Sequence, residues 1–267
     1  MKLHSVLSFS IFLQVGVLLS EVRCSSNDCG QSKSDNNGSF PWNVGIYVEN
    51  QNHLELICFG SVIQSNAVLT AAHCFYDNIK GSLRNATFYI ASDNLAKKFD
   101  LKSKPSTLHK VNKNTINIQK HYKGLVNLFT YDVAIIKDKF HFNQIKPVCV
   151  DWSGDVKDNN LVGKQPIWSN NKVVIVEQSY LNPDDCSYEA PQDFVSFIAE
   201  DKSCTKIKTS GVRLGHESEG AGVVFSSNNR WYIKGVISVH EPNQGKVSTY
   251  TLTAQYMNWI SNVCATV

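Results

Sequence analysis

The side chains of this chain that could act together chemically are His73, Asp132 and a pair further on, Ser218 and Glu219. His73 stands in Leu69-Thr70-Ala71-Ala72-His73-Cys74, an imidazole mounted between small apolar residues and a cysteine. Asp132 opens a second apolar run, Tyr131-Asp132-Val133-Ala134-Ile135-Ile136. An imidazole oriented by a carboxylate is a general base, with one ring nitrogen held and the other free to accept a proton. Such a base needs a hydroxyl to act on. The stretch Gly215-His216-Glu217-Ser218-Glu219-Gly220-Ala221-Gly222 sets a hydroxyl and a carboxylate side by side. Which of the two faces the imidazole decides whether there is any chemistry.

The elements that must position these groups read as short strands. Apolar runs at 44–48, 54–57, 61–63, 67–70, 88–91 and 116–118 are separated by turn-forming residues. Residues 132–136 are apolar without alternation, as for a strand buried on both faces. Residues 151–164 are polar and contain glycine, and read as a crossover between two lobes. Further strands are expected at 173–176, 220–225 and 231–239. Tyr256, Met257, Ile260 and Val263 then recur at helical spacing, so the chain is expected to end in a packed helix. Many short strands at this spacing suggest a barrel or sandwich.

The bulk numbers bound the alternatives. The chain has 267 residues, 42% hydrophobic and 18% charged, which fits neither disorder nor a coiled coil. A net charge of +3 with scattered lysines gives no case for nucleic acid. Met1-Lys2-Leu3-His4 is a basic start, and an apolar run interrupted by Ser and Gln follows from Val6 to Leu19. This reads as a signal peptide over residues 1–24, cut after Ser20 or Cys24, rather than as a membrane span. The mature chain, 25–267, is expected to be secreted, extracellular and not membrane-bound. Its 8 cysteines include no Cys-x-x-Cys pair, so disulfides are expected and a zinc site is not. Asn37-Gly38-Ser39 and Asn85-Ala86-Thr87 are candidate glycosylation sites.

The two motifs, Thr-Ala-Ala-His-Cys around His73 and Tyr-Asp-Val-Ala-Ile-Ile around Asp132, resemble the histidine and aspartate segments of trypsin-like (chymotrypsin-fold) serine proteases. The resemblance covers about residues 40–264. It implies an all-β fold of two antiparallel six-stranded barrels with a C-terminal helix. The first barrel would span about 40–145, the second about 160–252 and the helix about 253–264. It also implies the pairs Cys58–Cys74, Cys186–Cys204 and Cys29–Cys149, leaving Cys24 and Cys264, which pair if cleavage spares Cys24.

The same resemblance exposes departures. Counting back without a gap from Gly220-Ala221-Gly222, the nucleophile position falls on Glu219, and the acidic residue before it is replaced by Ser218. A carboxylate cannot take the part of a serine alkoxide, and losing the nucleophile costs about a million-fold in turnover. A second alignment makes Ser218 the nucleophile, but it needs an inserted residue in a tight turn, with Glu219 and His216 where glycines are expected. No Ile-Val-Gly-Gly-like activation sequence lies between Gly30 and Ser39, and no cysteine lies between Cys204 and Cys264. His240 stands in Ser238-Val239-His240, where the family usually has Ser-Trp-Gly, and Arg213 lies near the floor of the specificity pocket.

The reading is a secreted serine protease homologue without peptidase activity. It would resemble invertebrate homologues of haemolymph, venom or saliva, and would bind an extracellular protein partner, a protease or another component of a protease cascade. No cofactor, metal or small-molecule partner is expected, because His73 and Asp132 alone are two ligands without a third. One alternative is a divergent endopeptidase using His73, Asp132 and Ser218. Another is a glycan- or heparin-binding protein using Lys97, Lys98, Lys102 and Lys104.

Overall fold

A computed structural model describes residues 28–31, 40–92, 95–102, 104, 107–140, 142, 145–152, 162–169, 172–181, 183–212, 214–241 and 246–266. The first half contains β1 (Asn43–Asn50), β2 (His53–Gln64), β3 (Ala67–Thr70), the small hairpin β4 (Tyr76–Asp77) and β5 (Ser82–Leu83), β6 (Phe88–Ala91), β7 (Lys98–Asp100), β8 (His109–Lys110), β9 (Ile116–Ile118) and β10 (Ala134–Lys137). The second contains β11 (Cys149–Val150), β12 (Val162–Ser169), β13 (Lys172–Leu181), the short helix α1 (Pro183–Glu189), β14 (Lys202–Ile207), β15 (Gly222–Ser227), β16 (Arg230–His240) and β17 (Val247–Leu252), followed by α2 (Met257–Ala265).

The second sheet closes. Its strands run β16-β15-β12-β13-β14-β17, and β17 pairs back onto β16 to complete a six-stranded barrel. The first sheet is a half-barrel among the described residues, ordered β8-β6-β1-β2-β3-β10-β9, with β7 added on the early part of β2. The two short apolar runs at 54–57 and 61–63 are one strand, β2. It is long enough to pair with β1, β7 and β3 in turn. The polar stretch at 151–164 is shorter as a crossover than its composition suggests, because β12 has begun by Val162 and pairs with β13 at Ser179.

The halves share their interior. Trp42, Val68, Ile135 and Val148 of the first half pack in one cluster with Ile233, Val236 and Ile260 of the second. Phe59 and Tyr47 pack with Val223, Ile237 and Tyr250. Ala134, Ile135 and Ile136 are buried between β3 and β9, which explains a run without polar alternation. Lys137, at the end of β10, donates to the carbonyls of Val263 and Cys264 and so closes the C-terminal end of α2. No helix among the described residues is long and apolar enough to cross a membrane.

Disulfides join Cys29 to Cys149, Cys58 to Cys74 and Cys186 to Cys204. Cys264 is disulfide-bonded as well. Cys24, Asn37 and the signal segment lie outside the described residues. Asn85 is exposed, and its side chain accepts from Lys113 at 3.0 Å.

Candidate functional site

Each side chain of the site is delivered by a local device. His73 lies on a single 3-10 turn, Ala72–Cys74, that leaves β3. The Cys58–Cys74 bond ties this turn back to β2. Asp132 follows a strained stretch in which Leu128, Phe129 and Tyr131 all have left-handed φ, at 52°, 58° and 65°. The amide of Tyr131 donates to Asp201 at 2.8 Å, and Thr251 Oγ1 donates to the Asp132 carbonyl at 3.0 Å. Both anchors come from the second half, so the carboxylate is set by the seam between the halves.

Asp132 is fully buried and holds His73 twice. Its Oδ1 accepts from the His73 amide at 2.9 Å, and its Oδ2 lies 2.8 Å from Nδ1 of the ring. Ser238 donates to the same Oδ2 at 2.5 Å. Ser238 is the extra residue of a β-bulge on β16, between the pairs Ile237–Tyr250 and Val239–Thr249. A bulge re-aims the side chain it carries, here toward Asp132. Behind it lies Lys202, 5% exposed, donating to Ser238 at 3.0 Å and to Thr251 at 2.6 Å. Burial lowers the Lys202 pKa, against the opposing charges of Asp132 and Asp201.

The other ring nitrogen of His73 meets Glu219, whose Oε2 lies 3.2 Å from Nε2. Its second oxygen, Oε1, lies 3.3 Å from Nδ1 of His216, a side chain 91% exposed. Glu219 is set by its backbone. Its carbonyl accepts from Phe59 at 2.9 Å, and Gly220 follows with φ 76°. A Cβ on Gly220 would come within 2.4 Å of the Phe59 carbonyl oxygen, so only glycine lets the chain pass there.

The electrostatics follow from that placement. Burial alone would lower the His73 pKa. The charge and hydrogen bond of Asp132, joined by Glu219, override burial and push the ring up to about 10. Burial would raise Glu219, but its bonds to His216 and His73 hold it well below the usual carboxylate range. His240, buried at the end of β16, is pushed down to about 4 by desolvation. At neutral pH the centre is therefore an imidazolium between two carboxylates. That ring has no lone pair with which to take a proton.

Ser218 is not brought to the imidazole. It is fully buried, and its Oγ accepts from the Trp168 amide at 3.4 Å. The turn His216–Ser218 also folds its amides inward. Ser218 N donates to Gly215 O at 2.9 Å, and Glu219 N donates to His216 O at 3.0 Å. An oxyanion would need the amide at the nucleophile position free and pointing at it.

Sequence reasoning did not place Lys202 in the site, and it named His216 only as a residue standing where a glycine is expected, not as a partner of Glu219. Lys202 reads as a solvated lysine in a strand, and only three-dimensional closure of the second barrel puts it under Asp132. Among the described residues the grouping Cys58, His73 and Cys74 gathers three potential metal ligands, but the two sulfurs are bonded to each other and offer no thiolate. Of the four lysines at 97–104, Lys97 pairs with Glu217 and Lys104 lies over the Tyr89 ring. Arg213 lies outside the described residues.

Comparison with known proteins agrees with the architecture. Serine protease gd of Drosophila melanogaster is 24% identical over an alignment of 294 positions, covering 91% of this chain and 54% of that protein. Modular serine protease of the same organism is 30% identical over 148 positions, covering 49% of this chain and 23% of that protein. Collagenase of Hypoderma lineatum is 24% identical over 236 positions, covering 84% and 82%. The chain thus spans about half the length of the first of these relatives and about a quarter of the second. The family described as Trypsin matches residues 30–260. With the closed second barrel, the His73–Asp132 pair and this match across most of its length, the chain belongs to the trypsin family of serine proteases.

Proposed function

We propose that this chain is a secreted trypsin-family member that does not hydrolyse peptides and works by binding another extracellular protein, a protease or a component of a protease cascade. One observation carries the reading. The Glu219 carboxylate stands 3.2 Å from Nε2 of His73, where a catalytic hydroxyl would have to be. The inward amide of Glu219 and the burial of Ser218 against Trp168 support it. A scaffold of this kind keeps its loops in place for recognition after its chemistry is gone. The relatives among insect serine proteases support an extracellular cascade as the setting.

The test is incubation of the purified protein with a fluorophosphonate probe, followed by peptide mapping. No labelled serine is expected. Labelling at Ser218 would defeat the proposal in favour of a divergent endopeptidase using His73, Asp132 and Ser218. Retention on heparin that disappears when Lys97, Lys98, Lys102 and Lys104 are replaced would instead favour glycan binding.

A further inference from the structure

We propose that two copies of this chain associate, an apolar patch with a basic rim on one copy receiving the acidic helix α1 of the other. Two loops build the patch. The tip of the β4–β5 hairpin brings Ile79, 97% exposed, and the 3-10 turn Gly124–Asn127 brings Leu125 and Val126, with Leu128 directly after it. The loops are fastened to each other. Asn78 Oδ1 accepts from the Leu125 amide at 3.4 Å, and the rings of Tyr76 and Tyr122 meet edge to face at 5.0 Å. Gly124, with φ 64°, passes so close to Asn78 that a Cβ there would overlap its side-chain oxygen. Leu128 and Phe129 keep their left-handed backbone through bonds from their amides to the carbonyls of Leu125 and Gly124, both at 3.0 Å. Such strain persists only where the surroundings hold it in place.

Six large apolar side chains are exposed among the described residues, and four of them are on this patch. Single exposed apolar residues are ordinary, whereas a contiguous group rimmed by charge marks a binding surface. The rim here is basic, with Lys80, Lys120 and Lys123 all exposed. Residues 76–87 and 119–131 contain one carboxylate, Asp77. It is spent on the amides of Ile79 and Lys80, at 3.0 and 3.1 Å.

The surface that fits this patch is on the same chain. Tyr188, 90% exposed, is the fifth of those six side chains. It stands on α1 one turn after Asp184, on the same helical face. Residues 183–197 hold Asp184, Asp185, Glu189 and Asp193 and no Lys or Arg. Lys206 offsets Glu189 in part, at 2.7 Å. An aromatic ring among carboxylates matches an apolar patch among lysines in both its apolar area and its charge. Patch on patch, or helix on helix, would set like charges opposite one another. The two surfaces also adjoin in the fold. Phe129, at the end of the patch loop, lies 6.0 Å from Phe197, in the segment that follows α1. A two-fold pair therefore gives each patch the other copy's helix at once, which closes the assembly at two. The inference goes beyond the binding role proposed above and is independent of it, since self-association neither requires nor forbids another protein partner.

The experiment is sedimentation velocity of the full chain at concentrations up to about 500 μM, where even a small transient interface populates a dimer. A monomer–dimer equilibrium with no larger species is expected, and it should weaken as salt is added. Val126→Asp and Tyr188→Ala, both at exposed positions, should each weaken the dimer at least about tenfold. Lys172→Glu, exposed at the far end of the β12–β13 hairpin, should leave it unchanged. Carbodiimide crosslinking of a mixture of isotope-labelled and unlabelled chains reads the contact directly. Links between a labelled and an unlabelled chain should join Lys80, Lys120 or Lys123 to Asp184, Glu189 or Asp193. The proposal is overturned if the chain stays monomeric throughout, if either Val126→Asp or Tyr188→Ala dimerises as tightly as wild type, or if the links between chains fall outside these two surfaces.

Discussion

Glu219 and Asp132 grip opposite nitrogens of one imidazole, Glu219 at 3.2 Å on Nε2 and Asp132 at 2.8 Å on Nδ1 of His73. An active triad leaves one of those nitrogens to a hydroxyl. Here both are spent on carboxylates.

Restoring the serine alone should therefore not restore the enzyme. Glu219→Ser is expected to leave peptide-ester hydrolysis at background, because the residue 219 amide still donates to His216 O. Its stability should fall by about 2 kcal/mol, the scale of a lost hydrogen bond to a charged group. Urea unfolding and a chromogenic ester assay check the two halves of this expectation. Hydrolysis well above background would show that the inward turn is no obstacle.

Stability should peak near pH about 6.5. His73 has a folded pKa of about 10, above the ordinary value near about 6.5. Its contribution is fully present below pH about 6.5 and is lost as pH rises toward about 10. His240 has a folded pKa of about 4, so protonation of the unfolded chain erodes stability as pH falls below about 6.5. Glu219 and Asp132, both depressed, add to the acid side as pH falls below the ordinary carboxylate range. His216, raised by Glu219, adds to the alkaline side. Urea midpoints across pH should show both limbs, and His73→Gln should remove most of the alkaline one. An alkaline limb unchanged in that variant would refute the assignment.

Lys202→Met should cost about 3 kcal/mol. It removes the buried cation behind Asp132 and Asp201 and leaves the carboxylates under-compensated, a change worth about 3–5 kcal/mol when a buried pair is broken. Lys80→Met, on the exposed turn after β4, should stay within about 0.5 kcal/mol. Equal midpoints for the two variants in urea would show that Lys202 contributes nothing electrostatic.

The disulfides should differ in worth. Cys58–Cys74 closes a separation of 16 residues and Cys29–Cys149 one of 120. Chain-entropy loss predicts about 3 kcal/mol for a short loop of this kind and about 4.7 for one near a hundred residues. The double replacement Cys29→Ala, Cys149→Ala should therefore lower the thermal midpoint more than Cys58→Ala, Cys74→Ala. A reversed order would point to the turn bearing His73 as the weaker part of the fold.

Much of this was legible beforehand because local chemistry dictated it. The unbroken apolar run at Asp132 belongs to a strand buried on both faces, and the apolar spacing at Tyr256 and Ile260 belongs to a packed helix. The resemblance counted the nucleophile position to Glu219, but a count cannot say which way a side chain turns. That Glu219 lies on His73 while Ser218 turns to Trp168 depends on the left-handed Gly220 and on the close passage of Phe59. Lys202 was illegible for a different reason. Nothing in Asp201-Lys202-Ser203-Cys204 signals burial, and its partners Ser238 and Thr251 come from strands far along the chain. The helix Pro183–Glu189 was likewise missed, being short and polar, and visible only through its proline start and the acidic pair behind it.

The link from Cys29 to Cys149 has a consequence for any nick in the polypeptide. A protease that severs one peptide bond anywhere between those two positions produces two pieces that travel together. Such a molecule would migrate as a single species on a non-reducing gel and split only when thiol is added. Fragmentation would thus go unseen without reductant, and whatever the leading piece carries would stay on the barrel after the cut.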